Sequence, residues 1–127
     1  MSEPFSVLRC AVLVDACEDL AGVWVAWWHA NGLFPDMAIS DRLALAERVV
    51  RDLVDADLVS LHRGAWDGTL PSSDGATLVP IQRHDVPAVL KTYDVWVPSD
   101  LADPVVLVLT ERGEVEADIC RDGHSQH

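Results

Sequence analysis

The chain has 127 residues, of which 50% are hydrophobic, and this length fits one compact domain but not two ordinary ones. Nine basic against 21 acidic residues give a formal charge of −12, which predicts a soluble protein and argues against general binding to nucleic acid or to acidic membranes. Three cysteines are too few for a disulfide scaffold, so we expect reduced thiols.

The first half of the chain predicts three helices. The mostly apolar segment Val7 to Cys17 predicts the first. The second, Leu20 to Asn31, follows two acidic residues and ends at an Asn-Gly pair, both of which are typical of helix ends. The third, from Ser40 to about Ala56, has the clearest amphipathic pattern.

One stripe of the third helix predicts its buried side. The stripe consists of Leu43, Ala46, Val50, Leu53 and Val54. We therefore expect Leu53 in the core, and a large loss of stability on its truncation to alanine. Leu45 lies far from the centre of the stripe, so its truncation should be nearly neutral unless it lies in an interface.

The second half of the chain predicts mainly strands and turns. The predicted elements are a strand at Asp57–Arg63, a loop at 64–80, a short helix at Asp85–Thr92, a strand at Tyr93–Val97 and a strand at Val105–Leu109. Thr110 to Gly113 closes the last strand. We expect a single domain over residues 1–113, followed by a polar C-terminal tail over 114–127.

Neither a secretory signal nor a membrane span is predicted. The chain opens with Met1-Ser2-Glu3-Pro4, whereas a signal peptide carries Lys or Arg near its start. The longest uncharged stretch, Leu20 to Pro35, has 16 residues and is short for a bilayer crossing. A cytoplasmic location is therefore expected.

Two segments carry a resemblance to a known fold. LAERVVRDLVDADLVSLHRG (Leu45 to Gly64) resembles the third helix and second strand of a winged-helix domain. VVLVLTERGEVEAD (Val105 to Asp118) resembles its last strand and the Leu-Thr-x-x-Gly turn that follows. The resemblance implies an α+β fold with three N-terminal helices followed by a small antiparallel sheet. The pattern also resembles small actinobacterial proteins of unknown function.

A winged helix most often binds DNA through its third helix, but the residues here argue against that function. The segment from Asp41 to Asp55 carries four acidic and three basic residues. The predicted wing, Gly64 to Pro80, contains Asp67 and Asp74 and no Lys or Arg. Few phosphate contacts are therefore available, and a DNA-binding transcriptional regulator is the alternative rather than the preferred function.

The tryptophans are the strongest anomaly, since there are five in the chain and three of them occupy one helical turn. The second helix has no polar face, and so small a domain can rarely enclose a helix on every side. Core packing is one interpretation; the other is an interface with a partner protein or a second copy. The predicted interface residues are Trp24, Trp27, Trp28 and Trp66.

Motifs for catalysis, cofactors and metals are weak. The sequence has no G-x-S-x-G elbow and no glycine-rich phosphate loop. Cys120, His124 and His127 have ligand chemistry but lack a second pair, and His62 and His84 would need to meet in space. We therefore expect no enzyme activity, no cofactor and no metal. The preferred function is a non-catalytic acidic protein-interaction module of winged-helix type. A second copy of the chain, forming a homodimer, is the simplest partner, and a small enzyme is the third alternative.

Overall fold

The computed structural model describes residues 3–18, 21–64, 78–92, 95–97 and 105–125. These residues form an α+β fold with five α-helices and a four-stranded antiparallel sheet. The elements are α1 (Glu3–Glu18), β1 (Ala21–Gly22), α2 (Trp24–Leu33), α3 (Ile39–Asp55), β2 (Val59–Gly64), β3 (Leu78–Pro80), α4 (Val86–Leu90), β4 (Val105–Leu109) and α5 (Glu111–Ser125). A 3₁₀ turn at Arg83–Asp85 leads into α4.

The strand β4 lies inside the sheet, whose order is β1-β4-β2-β3. Leu107 of β4 is paired with Ala21 of β1 on one side and with Leu61 of β2 on the other. The predicted strand at Val105–Leu109 is therefore confirmed, and its first three residues are buried. An inner strand covered on both faces has no need of polar alternation, which explains the unbroken apolar run.

Helix α3 is confirmed, but its buried side differs from the predicted stripe, because Leu43 is only half-buried whereas Leu45 and Val49 are buried. The buried residues are Leu45, Ala46, Val49, Val50, Leu53 and Val54. Leu53 is fully buried, as predicted. The expectation for Leu45 is wrong, because only 5% of this residue is exposed and it belongs to the main core. Helix α3 packs against α1, α2, α4 and β2, and this surrounding widens its covered face.

The end of α3 is shaped by a backbone turn that leads directly into β2. The Leu58 amide donates to the Leu53 carbonyl at 2.9 Å, and the Asp57 amide donates to the Val54 carbonyl at 3.0 Å. These two hydrogen bonds together form a Schellman motif, in which Asp57 adopts the left-handed conformation with φ at 61°. Aspartate tolerates that conformation better than most residues, since its short polar side chain can bond locally.

The predicted polar tail is wrong over its described part, because residues 111–125 form α5. Thr110 begins the helix: its hydroxyl accepts a bond from the Gly113 amide at 3.0 Å and donates to the Asp57 carbonyl at 2.6 Å. A Cβ on Gly113 would collide with the Leu58 carbonyl oxygen, so only glycine allows this approach. The threonine cap and the acidic first turn were the missed local signals.

Three other predicted boundaries change. The second helix begins at Trp24, because Ala21 and Gly22 pair with β4 as a strand. Residues 78–80, predicted as loop, form β3 against β2. Of the strand predicted at Tyr93–Val97, the described residues 95–97 form a turn rather than a strand. There the buried Trp96 donates its indole N–H to the Leu90 carbonyl at 2.7 Å, which holds the turn on α4.

A disulfide joins α1 to α5, contrary to the expectation of reduced thiols. Cys10 and Cys120 are 110 residues apart in sequence, and their Cα atoms lie 5.5 Å apart. Cys17 is a half-buried free thiol. In the part of the chain that the structure describes, no helix has both the length and the hydropathy that a bilayer crossing requires.

Candidate interaction surface on the second helix

The first tryptophan of α2, Trp24, is a core residue rather than an interface residue. It is buried, together with Val25, Ala26 and Ala30 of the same helix. Its ring occupies the space above Gly22, where any Cβ would collide with it. The single domain thus encloses most of a helix that has no polar face, which the sequence interpretation regarded as difficult.

The second tryptophan, Trp27, is half-buried between α2 and α3. The guanidinium carbon of Arg42 lies 6.0 Å from the centroid of the Trp27 ring, within the range of a cation–π interaction. Part of this ring is therefore covered by the protein's own arginine. We infer that Trp27 contributes mainly to helix packing.

The third tryptophan, Trp28, is the one that α2 presents to solvent, with 62% of the residue exposed. Its ring centroid lies 6.3 Å from that of Trp24, and the two ring planes meet at 65° in an edge-to-face arrangement. A buried ring therefore supports an exposed one. Trp66, the fourth predicted interface residue, lies outside the described residues.

Next to Trp28 in sequence, His29 lines a cleft with a volume of about 320 Å³. The lining residues are Ala11, Val14, Asp15, Glu18, His29 and Arg121. His29 Nε2 lies 2.8 Å from Asp15 Oδ2, and Arg121 Nη2 lies 3.6 Å from Glu18 Oε1. We define the exposed ring of Trp28 and this cleft together as the α2 surface.

No pattern in the sequence predicts the cleft, because the residues that line it come from three different helices. Asp15 and Glu18 lie on α1, His29 on α2 and Arg121 on α5. The only local signal was a histidine inside an otherwise uncharged stretch. The partner of that histidine is 14 residues away, and no periodicity connects the two.

The arginines of α3 are largely engaged within the domain. Arg42 lies over Trp27, and the guanidinium carbon of Arg48 lies 5.4 Å from the centroid of the Phe5 ring. Asp52 of the same helix accepts a hydrogen bond from Arg9 Nε at 2.9 Å. The exposed charged residues of α3 are Asp41, Arg48, Arg51 and Asp55. These two acidic and two basic residues carry no net charge together, with Arg48 and Arg51 flanked by an aspartate on each side.

His62 is a titratable side chain that lies partly out of contact with water. It lies half-buried in β2, where its Nε2 is 2.9 Å from the Ser60 hydroxyl. Burial lowers the pKa of His62 below its ordinary value of 6.5. His84 lies instead beside Asp85 in the exposed 3₁₀ turn, so the structure does not bring these two histidines together. Within the described ranges, no group of three potential metal ligands converges.

No protein-family model, curated protein or solved structure matches this chain. Its function is therefore inferred from the chemistry of its own residues. The α2 surface combines one exposed aromatic ring, packed edge-to-face on a buried one, with a small cleft in which His29 and Arg121 each have a carboxylate neighbour. Exposed aromatic side chains of this kind are enriched at protein interfaces.

Proposed function

We propose that this protein is a non-catalytic acidic interaction module of winged-helix type, which binds another protein through the α2 surface. The observation that carries the proposal is the exposed ring of Trp28, held edge-to-face against the buried Trp24. Tryptophan is enriched among the residues that dominate binding at interfaces. A ring already held in place loses little side-chain entropy on binding, which favours its use as an anchor.

The order of the elements supports the winged-helix part of the proposal. Strand β2 follows α3 directly, and β4 returns antiparallel beside it, next to the short strand β1. Helices precede most of a small antiparallel sheet, as the resemblance implies. Two departures are the insertion of β3 and α4 before β4, and the additional helix α5 after it.

The charge of the protein supports a basic partner. A formal charge of −12 attracts a positively charged protein at long range and raises the rate of encounter. Asp15 and Glu18 place two carboxylates at the cleft, where a basic side chain of the partner would compete with His29 or Arg121.

A cytoplasmic location is also part of the proposal. Because disulfides are rare in the cytoplasm, the oxidation state of Cys10 in the cell tests that location.

DNA binding is the alternative function, and one measurement separates it from the proposal. Arg42 and Arg48, two of the three arginines of α3, lie over aromatic rings, and the protein carries a formal charge of −12, so we expect no micromolar binding of random duplex DNA at low salt. Fluorescence anisotropy with a labelled duplex measures this directly. Binding that weakens steeply with added salt would instead favour the regulator.

Site-specific photo-crosslinking tests the α2 surface. A benzophenone amino acid replaces Gly32 in the full-length protein, expressed in the cells that naturally make it. Gly32 is exposed and lies one turn after Trp28 on the same side of α2, with open space around it, so the Trp28 ring is kept. The matched control carries the same group at Val79 of β3, which is 63% exposed and lies on a different element. We expect a discrete protein adduct from position 32 and not from position 79, identified by mass spectrometry.

The identity of the adduct distinguishes a heterologous partner from a second copy of this chain. Either product supports binding through the α2 surface, and the second would establish the homodimer predicted from the sequence. If position 32 gives no adduct, or gives the same set as position 79, the α2 surface is not a binding site.

A further inference from the structure

Helix α5 presents its larger apolar side chains to solvent and its small side chains to the core, which is the reverse of the usual arrangement. The side that faces the domain holds small residues, Gly113 and Ala117, and the disulfide-bonded Cys120. Val115 and Ile119 point outward and are 61% and 59% exposed. A surface helix ordinarily turns its apolar stripe toward the core, so this arrangement indicates that a second body covers the outer side.

The outward apolar pair belongs to a longer stripe of exposed residues. Arg112, Val115, Ile119 and Asp122 follow one another at spacings of three, four and three, which is the heptad pattern of a helix-pairing seam. The stripe has one cationic end, an apolar middle and one anionic end. Its pattern is symmetric about Ala117, which lies midway between the members of each pair.

We propose that α5 pairs antiparallel with α5 of a second copy of this chain, about a two-fold axis that crosses between the two helices at the height of Ala117. In that register Val115 of one copy lies opposite Ile119 of the other, and Arg112 lies opposite Asp122. The contact is isologous, so each of these pairings occurs twice. Two apolar contacts in the centre are then flanked by an ion pair at each end.

The charges of the stripe favour this occupant and this orientation. A parallel pair would place Arg112 beside Arg112 and Asp122 beside Asp122, and both contacts would be repulsive. The antiparallel pair replaces them with attractive contacts and keeps the apolar residues together. An unrelated partner would have to present an acidic, two apolar and a basic residue opposite Arg112, Val115, Ile119 and Asp122. A second copy of the chain, running antiparallel, presents them by symmetry.

Sedimentation equilibrium of the full-length protein tests the proposal. Measurements run up to several hundred micromolar at moderate salt, where repulsion between two acidic copies is screened. We expect a concentration-dependent dimer. I119E should raise its dissociation constant at least tenfold, because a carboxylate replaces the apolar centre twice. The matched control is V79E, at an equally exposed apolar position on β3, and it should leave the constant unchanged.

A charge exchange tests the register. R112E and D122R should each weaken the dimer by about fivefold, since each sets like charges opposite one another at both ends. The double variant R112E/D122R restores opposite charges and should recover wild-type affinity within about twofold. All variants change exposed positions, and circular dichroism verifies that each remains folded.

Three results would overturn the proposal. They are a wild-type monomer throughout the concentration range, a dimer that I119E leaves intact, and a double variant no tighter than its single parents. The variant W28A separates this contact from the α2 surface. Loss of the dimer in W28A, with I119E unaffected, would assign self-association to α2 instead.

Discussion

Removing the disulfide between Cys10 and Cys120 should lower the stability of the protein by several kilocalories per mole. The bond closes a loop spanning 110 residues of sequence, and so restricts almost the whole unfolded chain. The loop-entropy relation gives about 4.8 kcal/mol at 25 °C for this length, and measured values are typically about 2–4 kcal/mol. For C10A/C120A we expect the free energy of unfolding to fall by about 2–5 kcal/mol.

The corresponding change in melting temperature follows from the size of the chain. An unfolding entropy of about 2.1 cal/mol/K per residue gives about 0.27 kcal/mol/K for a chain of this length. A loss of about 2–5 kcal/mol therefore lowers the melting temperature by roughly 7–18 °C. Circular dichroism of C10A/C120A and of the oxidised wild type measures it.

The control for this experiment is C17A, which removes the half-buried free thiol and keeps the disulfide. We expect its melting temperature to remain close to that of the wild type. Thiol titration of the denatured, non-reduced wild type should find a single reactive cysteine per chain. Three reactive thiols, or a double variant that melts together with C17A, would refute the reasoning.

The remaining predictions concern the core, a close backbone approach and a titrating group. L53A and L45A should each lower the free energy of unfolding by about 2–5 kcal/mol in urea titrations, and a neutral L45A would return that residue to the surface. G113A should destabilise by about 1–3 kcal/mol through overlap with backbone, whereas G32A, which meets open space on a helix, should stabilise by about 0.5–1 kcal/mol; equal effects would contradict the structure. Because the pKa of His62 is lowered in the folded state, its contribution to stability is full above pH 6.5 and falls as the pH drops below that value. Between pH 7.5 and pH 5.5, the free energy of unfolding of H62Q, measured in urea titrations, should fall less than that of the wild type. An equal fall in both proteins would show that His62 does not cause the pH dependence.

Local sequence patterns predicted the elements that carry a strong hydrophobic pattern of their own. Helix α3 carries its own period and β4 its own run of β-branched residues, so both were predicted nearly to their ends. Helix α5 was missed although Thr110 and two acidic residues mark its start. Its few apolar residues form no inward stripe, because the inward positions are occupied by small side chains.

The candidate site was predicted only in outline. The sequence singled out the tryptophans of α2 but could not separate their environments: Trp24 is buried, Trp27 lies beneath Arg42 and Trp28 is exposed. These three residues lie within one helical turn and differ only in what packs beside them. The covering groups belong to β1 and α3, so neither spacing nor composition could reveal which ring remains exposed.

The sequence by itself determined the α+β class, the negative net charge and the position of α3 along the chain, because hydrophobic period and charge are properties of neighbouring residues. The tertiary structure alone decided that Cys10 meets Cys120, that Asp15 meets His29 and that the third tryptophan of α2 faces solvent. The first two outcomes depend on how α1 packs against α5 and α2, and the third depends on how β1 and α3 cover the other two tryptophans. Packing joins residues far apart in the chain, and it is selected by the fit of whole surfaces rather than by any local pattern.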